Sequence, residues 1–102
     1  MRVVWSPLAL ERVEDIARVI AADRPAAAAR WVRNTFARVA QLGRYPESGR
    51  MVPELGRPEV RQLAHLPYRI IYRVEPKRVL VLTVRHGREE LDSEEAAGTE
   101  AL

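Results

Sequence analysis

Residues 67–91 read PYRIIYRVEPKRVLVLTVRHGREEL, and this stretch decides the architecture. Two runs rich in Val, Ile, Leu and Tyr, 68–74 and 79–85, flank the turn signal Glu75-Pro76-Lys77-Arg78. A two-residue turn pairs Val74 with Val79 and, at constant register, Arg69 with Val84. Side chains alternate between faces along a strand, so Arg69, Leu82, Val84 and His86 are expected on one face. Arg69 and His86 then become diagonal neighbours. A cation and an imidazole at the open end of a small sheet suit phosphate chemistry. A structural hydrogen bond accounts for the same pair equally well.

Upstream, Arg2-Val3-Val4-Trp5 is a short strand, and Ser6 with Pro7 behind it starts a helix. Ala9, Val13, Ile16 and Ile20 give that helix one apolar stripe, opposite Glu11, Arg12, Asp15 and Arg18. Asp23-Arg24-Pro25 breaks the chain. Pro25 opens a second, Ala-rich helix running through Val32, Phe36 and Val39 to Leu42, with Gly43 placed as its cap. Residues 44–58 carry loop signals: Tyr45-Pro46, Ser48-Gly49, Val52-Pro53, Gly56 and Arg57-Pro58. Glu59–Leu66 is the next strand. The order β-α-α-β-β-β, with no internal repeat, predicts an α+β fold: a two-helix hairpin packed on a mainly antiparallel four-stranded sheet. Arg61, Arg69 and residues 85–88 fall at the edges and ends of the other sheet face, a basic surface beside a long loop.

A chain of 102 residues makes one domain with a real core. The absence of cysteine excludes a disulfide framework and a thiolate-bound metal, and suits a reducing compartment. Two histidines 21 residues apart have no metal-ligand spacing, so neither metal nor cofactor is expected. With no long apolar run and no signal-peptide pattern, the expectation is a cytoplasmic protein without a membrane partner. Charge is divided sharply. Residues 1–88 hold all 17 Lys and Arg with 8 acids, a formal +9, and residues 89–102 hold 6 acids and no base. Such a body attracts a polyanion or an acidic protein. The last segment, EELDSEEAAGTEAL, reads as a flexible acidic tail on a domain spanning 1–88. Sixteen of the basic residues are arginine, a skew that a GC-rich genome also produces; Lys77 is the single lysine.

The chain resembles the RelE/ParE superfamily, the toxins of type II toxin–antitoxin modules. The resemblance rests on Trp5-Ser6-Pro7, Leu42…Tyr45-Pro46, Ser48-Gly49-Arg50, Val60-Arg61-Gln62-Leu63, Tyr68–Val74 and Val81–Arg88, in that order and spacing. It covers roughly residues 2–90. It implies a small bacterial toxin neutralised by a cognate antitoxin, here expected as an acidic or amphipathic segment wrapping the basic body. The superfamily divides by target: RelE-like members cleave mRNA on the ribosome, and ParE-like members poison DNA gyrase. Fold cannot choose between them.

Cleaving RNA through its own 2′-hydroxyl needs a base, an acid and cations around the phosphorane. Glu54 is the candidate base, His86 the acid or base, and Arg61 with Arg69 the phosphate-holding cations. Glu54, Arg69 and His86 resemble the Pro-Glu, Arg and terminal His positions of YoeB-type ribosome-dependent nucleases. Gly87 departs from that pattern, which carries an aromatic after the histidine, and the lysine-rich segment of RelE is missing. The Val-Arg-His-Gly ending looks more like ParE-type members. Metal-independent, ribosome-dependent mRNA cleavage is the first expectation. Gyrase inhibition, or an inactive interaction module, is the alternative. His65, Trp5, Trp31, Tyr68 and Tyr72 read as packing residues.

Overall fold

The computed structural model describes residues 1–89 and residue 91. Strand β1 (Arg2–Trp5) leads into α1 (Pro7–Asp23), and Arg24 alone separates it from α2 (Pro25–Ala40). After a 3-10 turn, Gln41–Gly43, come β2 (Arg50–Met51), β3 (Val60–His65), β4 (Tyr68–Val74) and β5 (Arg78–His86). The sheet order is β1-β5-β4-β3-β2, with β1 parallel to β5 and every other pair antiparallel. The α+β hairpin-on-sheet architecture is therefore the expected one. The sheet gains a fifth member only because Arg50 and Met51 pair with Gln62 and Arg61 at its edge. A two-residue strand inside a loop leaves no periodicity to read.

Local chemistry explains why the helices start where they do. Ser6 Oγ accepts from Ala9 N at 3.0 Å, the capping bond that Ser before Pro forecasts. The same hydroxyl donates to Leu82 O at 3.0 Å, and Ser6 N donates to Val81 O at 3.0 Å. One buried serine thus starts α1 and ties it to the middle of β5. Gly43 has a different job from the expected left-handed cap. Its φ is not positive; instead a Cβ there would lie 2.8 Å from Met1 O, and the Met1 amino group donates to Gly43 O at 2.8 Å. Close approach of the N-terminus, not helix capping, requires glycine here.

The helices cover one face of the sheet. Ala9 and Val13 of α1, Val39 of α2 and Leu42 pack with Leu63, Ile70, Tyr72, Val79, Val81 and Val84. Tyr68 and Tyr72 share this face, as alternation predicts. Phe36 is 38 % exposed and meets the Trp5 ring at a tilt of 50°, with centroids 4.7 Å apart. Thr35 takes the buried position, bonding Trp31 O at 2.7 Å and His65 Nε2 at 3.0 Å. His65 is a packing residue whose pKa is pushed down by burial and then by Arg38.

The opposite face has its own apolar cluster: Val52, Val60, Ile71, Leu80, Leu82 and Leu91. Among the described residues no helix lies on it. The loop after β2, through Val52 and Leu55, and Leu91 beyond β5 close it instead. Of the acidic segment 89–102, Glu89 and Leu91 rest on the body, and residues 90 and 92–102 lie outside the described residues. Among the described residues no helix is long and apolar enough to cross a membrane.

Candidate functional site

A one-residue irregularity in β5 decides which side chains meet. Val74 pairs with Val79 as the turn predicts, with Glu75 N donating to Arg78 O at 2.9 Å. The register then shifts: Tyr72 faces Val81, but Ile71 faces Thr83, so Leu82 is an extra residue. A bulge of this kind moves everything beyond it to the other face. Arg69 consequently pairs with Arg85, not Val84, and His86 pairs with Tyr68. The expected shared face for Arg69 and His86 is corrected by this geometry: they stand on opposite sides of the sheet. Ser6, bonded to the carbonyls of Val81 and Leu82, holds the bulge from beneath.

On the outer face, Arg69 is 8 % exposed and sits among acceptors. Its Nη1 donates to Glu54 Oε1 at 3.1 Å and Gln62 Oε1 at 2.9 Å. Its Nη2 donates to Glu54 Oε2 at 2.5 Å and the Glu89 carbonyl at 2.6 Å. This is the two-pronged arginine–carboxylate geometry that gives strong, oriented pairing. Glu54 arrives on the loop between β2 and β3. Val52 anchors that loop in the outer core, and Leu55 N and Gly56 N both donate to Val52 O at 3.1 Å. Gly56 has φ +59°, a left-handed conformation open to glycine at little cost.

The Arg69 hydrogen bonds, outweighing partial burial, lower the Glu54 pKa from 4.5 to about 2. A carboxylate so held is a weak base near neutral pH. Beside the pair opens a cleft of about 520 Å³ lined by Arg50, Pro53, Glu54, Gln62, Arg69 and Arg88 among others.

Arg61 and His86 belong to the other side. Arg61 pairs with Tyr72, whose ring is in the helix-side core, and its Nη1 donates to Gly49 O at 2.9 Å. Tyr72 Oη accepts from Gly49 N at 2.9 Å, and its pKa is raised by burial. A Cβ on Gly49 would lie 2.5 Å from Gln62 O and 2.6 Å from Tyr72 Oη, so only glycine fits. Arg61 therefore braces the loop base. His86 packs edge-on against Tyr68, centroids 5.9 Å apart, and its Nδ1 accepts from Arg88 N at 3.2 Å. Tyr68 in turn meets Trp31 edge-on at 5.5 Å.

The four residues singled out from sequence thus divide: Glu54 with Arg69 outside, and Arg61 and His86 apart from them and from each other. Gln62, Glu89 and Leu91 were missed, and Arg85 was read only as part of the basic segment 85–88. Alternation along β3 did place Gln62 on the face opposite Arg61 and Leu63. Leu91, one large apolar residue in an acidic run, was the only hint of its contact with the outer cluster.

A hairpin of helices on a mixed sheet has counterparts among known proteins. The chain belongs to the ParE toxin family of type II toxin–antitoxin systems, parDE, whose family model matches residues 3–91. It is 38 % identical over 89 residues to a protein of Sinorhizobium fredii (strain NBRC 101917 / NGR234) described as "Putative toxin Y4kP". The alignment covers 87 % of this chain and 91 % of that one. A solved structure of the chromosomal ParDE TA system from P. aeruginosa shares the fold, with a TM-score of 0.71. That match is 22 % identical and covers 84 % of this chain and 95 % of the other. The protein is thus the toxin of a ParDE-type module, and its partner is a cognate antitoxin.

Proposed function

We propose that this toxin acts by binding its target and not by cleaving RNA, with DNA gyrase as that target. The observation that carries the reading is the bulge at Leu82, which separates His86 from Glu54 and Arg69 by the thickness of the sheet. General acid and base must both reach one scissile phosphate. Here the candidate base is held ionised by Arg69, and the candidate acid faces the aromatic side. Membership in the ParE family, Gly87 after His86 and the lack of a lysine-rich segment all support the gyrase branch. The +9 body supplies long-range attraction towards an acidic protein surface, speeding encounter without any chemical step. The antitoxin neutralises the toxin by covering that body.

The test runs two assays on one protein. After brief expression, mRNA 5′ ends are mapped; in parallel, purified chain is assayed for gyrase supercoiling and trapped cleavage complexes. The proposal expects intact mRNA and inhibited supercoiling that survives His86→Gln. Codon-phased mRNA cuts that vanish in Glu54→Gln and His86→Gln would restore the nuclease reading.

A further inference from the structure

Beyond β5, Glu89 and Leu91 rest on the outer face as residues of a bound peptide rest on a receptor. Gly87 N donates to Pro67 O at 2.8 Å, which turns the backbone away from β5. The Glu89 carbonyl then accepts from Arg69 at 2.6 Å, and its carboxylate takes Arg85 Nη2 at 2.8 Å and His86 N at 3.1 Å. Two residues on, Leu91 N donates to Glu54 Oε2 at 3.4 Å. The Leu91 side chain, 6 % exposed, completes the apolar cluster of Val52, Val60, Ile71, Leu80 and Leu82. The groove therefore reads a pattern: an acidic residue over the arginines and, two positions further on, a large aliphatic side chain in the seat.

We propose that this groove is a docking site for an extended peptide of a partner protein that carries an acidic residue and, two positions further on, a large aliphatic one, and that Glu89 and Leu91 are its resident competitors. This does not depend on which target the toxin poisons. Two observations besides the seated segment support it. Buried polar atoms remain unsatisfied beneath it: Arg69 Nε and Thr83 Oγ1 have no hydrogen-bond partner among the described residues. Both residues point to the outer face, as their pairing with Arg85 and Ile71 requires. In addition, among the described residues the segment is held by Leu91 and by the hydrogen bonds of Glu89 and Leu91, contacts that an extended peptide of the same pattern can reproduce. The apolar seat next to the cations favours a peptide over a polynucleotide, which has no aliphatic side chain to place there.

The experiment titrates the full chain with the synthetic peptide HGREELD, the sequence of residues 86–92, by calorimetry and by amide chemical shifts. Wild type should bind weakly because its own segment occupies the groove. Glu89→Lys and Leu91→Ala should each bind at least tenfold more tightly, with shifts in β4 and around Glu54. A peptide with serine replacing its leucine should lose that gain. Glu89→Lys alters an exposed side chain and carries the test if Leu91→Ala does not fold. Equal affinity in wild type and both variants overturns the proposal, as does equal affinity for the serine peptide or shifts confined to α2. A concentration-dependent wild-type dimer that Leu91→Ala abolishes also overturns it, assigning the groove to a second copy's segment.

Discussion

On the helix side of the sheet, Leu63, Ile70, Tyr72, Val79, Val81 and Val84 meet side chains from α1 and α2. On the outer side, the described neighbours of Ile71, Leu80 and Leu82 are a loop, through Val52 and Leu55, the strand residues Val4 and Val60, and Leu91 beyond β5. The two faces bury comparable side chains but are closed by different kinds of element. Regular helices cover the first, so its packing is cooperative and has no ready alternative occupant. Irregular segments, held by a charged pair at Glu54 and Arg69, cover the second. Exchange and recognition belong on the side that can open at low cost.

That contrast predicts a gradient of mutational cost. Ile70→Ala removes a fully buried side chain beneath the helices and should cost about 3–4 kcal/mol in urea unfolding. Leu91→Ala, at the end of the outer cluster where neighbours can relax, should cost roughly 1–2 kcal/mol. Equal losses at the two sites would erase the distinction between the faces. Ser6→Ala links the faces, because it removes the α1 cap and the bond to the bulge carbonyl together. It should cost about 2 kcal/mol, the upper end for an N-cap.

Most of the helix side was legible in the sequence, and little of the outer side was. Ser6-Pro7, the stripe from Ala9 to Ile20 and the break at Arg24-Pro25 are local signals, and local physics placed both helices. The turn at Glu75–Arg78 set the first pair, Val74 with Val79, for the same reason. Counting onward failed at Leu82. VLVLTV is five aliphatic residues and one threonine, so either alignment buries acceptable side chains, and the bonds that Ser6 makes from another element to the Val81 and Leu82 carbonyls leave no trace in that stretch. The pair Glu54–Arg69 was foreseen as a catalytic grouping, but its mutual neutralisation was not. That depends on where an irregular loop puts a carboxylate. Leu91 was assigned to a tail because composition outweighed one apolar residue.

The charged pair offers a smaller effect with a pH signature. Glu54 has a folded pKa of about 2, below its ordinary 4.5, so its ionised form stabilises the fold. That contribution is complete above about pH 4.5 and is lost as pH falls towards 2. Glu54→Gln should therefore cost about 1–2 kcal/mol at pH 7, moderated because the carboxylate keeps some contact with water. The gap between variant and wild type should close across that acid window. A gap that persists at pH 2 would mean the glutamate contributes packing and not charge. Smallest of all, His86→Gln on the aromatic side should change stability by less than about 0.5 kcal/mol.

Side-chain NOEs between β4 and β5 test the central claim most directly, because the functional reading stands on the face that each residue occupies. With the bulge at Leu82, cross-peaks should join the rings of Tyr68 and His86, and the Arg69 side chain to Glu54 and Gln62. Cross-peaks between the Arg69 side chain and the His86 ring would place both on one face and reunite the acid, base and cation, contradicting the account.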